Sequence, residues 1–95
     1  MASRNKSDSA ESVGEVSIPS DPNARLDRKT LALTLTAAGF PISEATLATM
    51  ASRGGGPAFQ LWGRKPLYLW GSSFDWAENR LSAPVHSASE ARAAA

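Results

Sequence analysis

Gly39-Phe40-Pro41-Ile42-Ser43-Glu44-Ala45-Thr46-Leu47 ends one helix and begins another with almost no chain between. Gly39 followed by Phe40 and Pro41 reads as a C′ glycine stop. Ser43 reads as an N-cap, with Ile42 and Leu47 in the two positions of a hydrophobic staple. A connection this short, with its glycine, has the length of a helix-turn-helix turn.

Upstream, Leu26-Asp27-Arg28-Lys29-Thr30-Leu31 repeats the same start signal. Asp27 is the N-cap and Leu26 with Leu31 the staple, and Leu31, Leu35 and Ala38 give this first helix one apolar face. Downstream, Leu47, Met50 and Ala51 form the apolar face of the second helix, which Gly54-Gly55-Gly56-Pro57 terminates. The period then changes. Phe59-Gln60-Leu61-Trp62 and Leu67-Tyr68-Leu69-Trp70 predict two short strands around a turn at Gly63-Arg64-Lys65-Pro66. A third helix is expected after Gly71, capped by Ser72 or Ser73, with Phe74, Ala77 and Leu81 inward and Trp76 beside them. Phe59, Tyr68, Phe74 and Trp76 are expected to join hairpin and helices in one core, while Trp62 and Trp70 are left open between core and interface.

The chain has 95 residues with three Trp, three Phe, one Tyr, no Cys and a formal net charge of +1. That is one small domain, too short for a large enzyme, with no disulfide framework and no thiolate metal site. Residues 1–25 are polar and charged and are expected to form a disordered arm; 26–82 are the folded domain; 83–95, with Pro84 and an Ala-rich end, are expected to be a flexible tail. His86 has no partner at ligand spacing and reads as solvated. No apolar run approaches the roughly 20 residues of a spanning helix, and the N-terminus lacks the apolar region of a secretory signal. The expectation is a cytoplasmic, nucleoid-associated protein without a membrane partner.

The order helix, tight turn, short helix, hairpin, helix is that of an α+β winged helix-turn-helix. On three blocks the chain resembles the excisionase and AlpA-type branch of the MerR-like winged helix-turn-helix family. The blocks are Ile42 to Leu47, the junction Arg53-Gly54-Gly55-Gly56-Pro57-Ala58-Phe59, and the run Gly63-Arg64-Lys65-Pro66-Leu67-Tyr68 ending at Trp76. The resemblance extends from Leu26 to Leu81; Ser73 stands where a large apolar residue is usual. It implies a bacterial or mobile-element protein binding double-stranded DNA in sequence-specific fashion, as a transcriptional regulator or an excisionase-like recombination directionality factor. It further implies that the second helix enters the major groove and the hairpin is the wing.

Helical periodicity turns Ala45, Thr46, Thr49 and Arg53 outward on that second helix, and with Ser43 they are the candidate recognition residues. Arg64 and Lys65 at the hairpin turn suit minor-groove phosphates. Arg28 and Lys29, beside the N–H groups that open the first helix, suit a phosphate as well. Between Leu26 and Ser82 six basic residues face four acidic ones. So modest a surplus predicts weak binding by a single copy, and hence a homo-oligomer on repeated sites or a partner such as an integrase or another regulatory protein. Catalysis finds no support, because Asp75 and Glu78 read as a solvated helix face and Gly54 to Gly56 lacks the Lys-Ser/Thr of a phosphate loop. Neither cofactor nor metal is expected. The competing class is a protein-interaction module that keeps the scaffold and has lost DNA binding; it expects an exposed Trp62 or Trp70.

Overall fold

A computed structural model describes residues 17–94. In chain order it contains β1 (Arg25–Asp27), α1 (Arg28–Ala37), α2 (Glu44–Arg53), β2 (Gln60–Trp62), β3 (Lys65–Leu69), α3 (Trp70–Glu78) and α4 (Ala88–Ala94). The strands form one antiparallel sheet in the order β1-β3-β2. The described residues are thus α+β, four helices with a small three-stranded sheet, an arrangement compatible with a small winged-helix-like fold.

Both expected caps form. The Asp27 carboxylate accepts from the Thr30 N–H at 2.8 Å, and Ser43 Oγ accepts from the Thr46 N–H at 3.1 Å. Leu31 and Leu35 of α1 are fully buried, and Leu47 of α2 packs with them, Ala32, Tyr68, Trp70 and Ala77 in one core. Thr36 fastens the turn between the two helices: its hydroxyl accepts from the Ile42 N–H at 3.3 Å and lies 3.2 Å from the Ile42 carbonyl. The Phe40 N–H closes back on the Leu35 carbonyl at 2.8 Å.

The hairpin is tighter than the sequence suggests. Its loop is Gly63-Arg64 alone, with Trp62 paired to Lys65, because Gly63 takes φ 66°, a conformation open to glycine at little cost. Pro66 lies inside β3 instead of in the turn. Proline is tolerated there because β1 pairs only with Leu67 to Leu69, so one side of β3 has no strand beside Pro66.

The third helix starts at Trp70, before the serines expected to cap it. Backbone supplies the cap: the Trp70 N–H donates to the Ala24 carbonyl at 2.9 Å and the Gly71 N–H to the Pro22 carbonyl at 2.8 Å. The approach is so close that a Cβ on Gly71 would stand 2.7 Å from the Pro22 Cβ. Chain from Asp21 through Arg25 therefore belongs to the fold, and the arm expected to reach residue 25 ends earlier; its residues 1–16 lie outside the described residues. With the helix shifted back, Trp70, Ser73 and Ala77 are the inner residues, whereas Leu81 lies past the end of α3 and is 64% exposed.

Phe59, expected in the core, is exposed at its edge, with its ring 5.5 Å from that of Tyr68. Trp70, by contrast, is core. The tail contains the short exposed helix α4, begun by Ser87, whose hydroxyl accepts from the Glu90 N–H at 3.1 Å, while Glu90 reaches back to the His86 N–H at 2.6 Å. Ser87-Ala88-Ser89-Glu90 is a capping-box pattern, and with the alanines that follow it explains a helix where the lack of large apolar residues after Val85 suggested a flexible tail.

Ser73 is the anomaly of the core. Its side chain is fully buried and its hydroxyl has no partner. Burying an unsatisfied hydroxyl costs about 1–3 kcal/mol, and alanine removes that cost with the loss of one small atom. Ser73→Ala should therefore raise stability by roughly 1 kcal/mol, or about 4–8 °C in Tm for a domain of this size. A melt followed by circular dichroism checks it, and a lower Tm would show that the hydroxyl is needed.

Candidate nucleic-acid interface

At 100° per residue, Ala45, Thr46, Thr49 and Arg53 fall within about a third of the circumference of α2, opposite Leu47. All four are exposed, and so is Ser43 at the cap. These five residues are therefore brought onto one end and one face of a single helix. Their hydroxyls are pre-oriented. Ser43 Oγ and Thr46 Oγ1 lie 3.0 Å apart, and Thr49 Oγ1 donates to the Ala45 carbonyl at 3.1 Å, which leaves its oxygen free to accept. The far end of α2 is tied down by the Trp76 indole N–H, which donates to the Gly55 carbonyl at 2.9 Å.

Arg64 and Lys65 are exposed at the closed end of the hairpin. Lys65 and Lys29 both lie close enough to Asp27 to act on its carboxyl. Hydrogen bonds from the Thr30 side chain and backbone hold that carboxyl below its ordinary range, the two lysine charges add to this, and partial burial opposes it.

The remaining pair of candidates separates. Arg28 turns inward, where its Nε donates to the Tyr68 hydroxyl at 3.0 Å and its guanidinium sits 5.9 Å from the Phe59 ring centre and 6.0 Å from that of Tyr68. It braces α1 against β3, and a phosphate has only its outer nitrogens to use. Lys29 remains exposed and borders a groove shared with Ser43 and Glu44 at the start of α2.

Charge distribution is more informative than the total. From Ala45 to Phe74 the chain holds no Asp or Glu, yet carries Arg53, Arg64 and Lys65. This carboxylate-free stretch includes the outer face of α2 and the whole hairpin. The near-neutral sum arises because the acids fall before and after it. Sequence reasoning also missed Arg25 and Gln60, which the register of β1 and β2 places on the solvent face of the sheet; Arg25 was hidden by its assignment to the arm.

Among the described residues no helix is long and apolar enough to cross a membrane, and no group of three or more His, Cys, Asp or Glu is placed to hold a metal ion. In comparisons with protein-family models, with curated proteins and with solved structures, nothing matches this chain.

Proposed function

We propose that the chain binds double-stranded DNA, with the exposed face of α2 in the major groove and the β2–β3 hairpin as a wing along the adjacent backbone. The observation that carries this is the segment Ala45 to Phe74, cationic and without a carboxylate, which contains the hairpin and all of α2 after its first residue, Glu44. Thr46 and Thr49 supply oxygens to base-edge donors, the methyls of Ala45 and the threonines meet thymine methyls, and Arg53 reaches a guanine or a phosphate. Arg64, Lys65 and Lys29 take phosphates. The resemblance to the excisionase and AlpA-type winged helix-turn-helix proteins supports the same reading and extends it to a transcriptional regulator or a recombination directionality factor. So few cations suit a protein that binds as several copies on repeated sites, or beside an integrase or other regulatory protein.

The test is competition between genomic fragments and random duplex at about 0.1 M salt. A specific site should bind roughly 1,000-fold tighter than random sequence. If every fragment binds no better than random duplex, the proposal fails. One observation favours the rival, a protein-interaction module on this scaffold: Trp62 is 75% exposed.

A further inference from the structure

Trp62 is the most exposed large apolar side chain among the described residues. Among those residues its ring pairs with no other aromatic ring and its indole N–H donates to no protein acceptor. Its surroundings can be read from the strand register. Gln60 pairs with Leu67, Trp62 with Lys65 and Arg25 with Leu69, so these side chains stand on one face of the sheet. Tyr68, on the other face, is buried in the core.

Arg25, Gln60, Trp62 and Leu67 of the open face, with Leu61 between Gln60 and Trp62 in the strand, border a hollow of about 580 Å³. Its size is within the ~300–1,000 Å³ of ligand sites. Its chemistry is an aromatic plane, an amide with both donor and acceptor, an apolar floor at Leu67 and the Arg25 cation, with Lys65 outside the hollow as the cross-strand neighbour of Trp62. The one carboxylate on this face, Asp27, is engaged as the cap of α1. An aromatic, hydrogen-bonding ligand attached to an anion fits that combination, and a nucleotide base with its phosphate is such a ligand.

We propose that this face takes a single base unstacked from the DNA that the hairpin engages. Trp62 stacks on it, the Gln60 amide meets its edge, and Lys65 and Arg25 hold the neighbouring phosphates. This rests on the DNA-binding reading above and adds to it a preference for DNA in which a base is easily extruded, such as a mispaired one.

The experiment compares a fully paired duplex with the same duplex carrying one central mispair, using the full chain and reading both affinity and tryptophan fluorescence. The wild type should bind the mispaired duplex about tenfold tighter, with quenching of its emission. Trp62→Ala should lose that preference and the quenching while still binding paired duplex, and Trp62→Phe should keep most of the preference. Because Trp62 is exposed, both variants should retain the wild-type circular dichroism spectrum. Equal binding of the two duplexes by the wild type, or a preference that survives in Trp62→Ala, overturns the base site and leaves duplex binding standing. Failure to bind either duplex overturns both. Should Trp62→Ala abolish self-association in sedimentation and leave the mispair preference intact, Trp62 is a protein contact and the base site is wrong.

Discussion

With Arg53, Arg64 and Lys65 all replaced by alanine, duplex affinity at about 0.1 M salt is expected to fall roughly 100-fold, and the dependence of log K on log salt to flatten by about 1.8 if Arg53 contacts a guanine and about 2.7 if it contacts a phosphate. The slope follows from counterion release, about 0.9 for each phosphate contact removed. The three cations are exposed and no acid lies between them in the chain, although Asp27 stands close enough to Lys65 to offset part of its charge, so Arg53 and Arg64 should carry the larger share of the loss. Stability should change by less than about 0.5 kcal/mol, as for surface positions outside the packed core. That separates the two functional classes. A protein-interaction module keeps whatever weak duplex affinity it has, with an unchanged slope, whereas the DNA reader loses both. An unchanged slope with an intact fold would sink the proposal.

The elements were legible where local chemistry alone decides them. Asp27 and Ser43 announce helix starts because a short polar side chain can satisfy N–H groups within its own first turn, and the structure uses both as caps. β1 was not legible. Arg25-Leu26-Asp27 has no strand character, and it is a strand only because β3 lies beside it. The same long-range contact moved the start of α3. Once the carbonyls of Pro22 and Ala24 cap Trp70 and Gly71, no serine is needed, and the serine that looked like a cap becomes the buried Ser73. Gly71 was a signal of that contact, since it stands where any Cβ would meet Pro22, but a glycine before two serines reads equally well as a loop.

For the candidate site the outward face of α2 followed from period alone, and each of its residues is exposed. Arg28 could not be placed in this way. Its partner Tyr68 lies forty positions along the chain, and only the docking of α1 on β3 brings the guanidinium to the ring. The absence of carboxylates from Ala45 to Phe74 was open to inspection in the sequence and was masked by summing charge over the whole domain.

Leu47 is the point on which the proposed groove-reading helix depends. It is the single fully buried side chain of α2, only 1% exposed, whereas Met50 and Ala51, expected to share the inner face, are half-buried. Other tethers, the turn at Thr36 and the Trp76 bond to Gly55, hold the ends of the helix but not its middle. Leu47→Ala should cost about 2–5 kcal/mol, since the lost transfer energy is joined by a cavity between α1 and α2. At roughly 0.05–0.15 kcal/mol per residue, that is a large share of the stability of a domain this small. The expected Tm drop is on the order of 10–30 °C, and amides of α2 should lose protection from exchange before those of α1, whose Leu31 and Leu35 remain packed. Thr49→Ala, on the outer face of the same helix, is the control and should move Tm by no more than a few degrees. Duplex affinity should fall with Leu47→Ala even at temperatures where most of the protein is folded, because an α2 free to rotate no longer presents Thr46, Thr49 and Arg53 together. An unchanged melting curve would mean that α2 is held by its ends alone, and the orientation of its outer face would then need another cause.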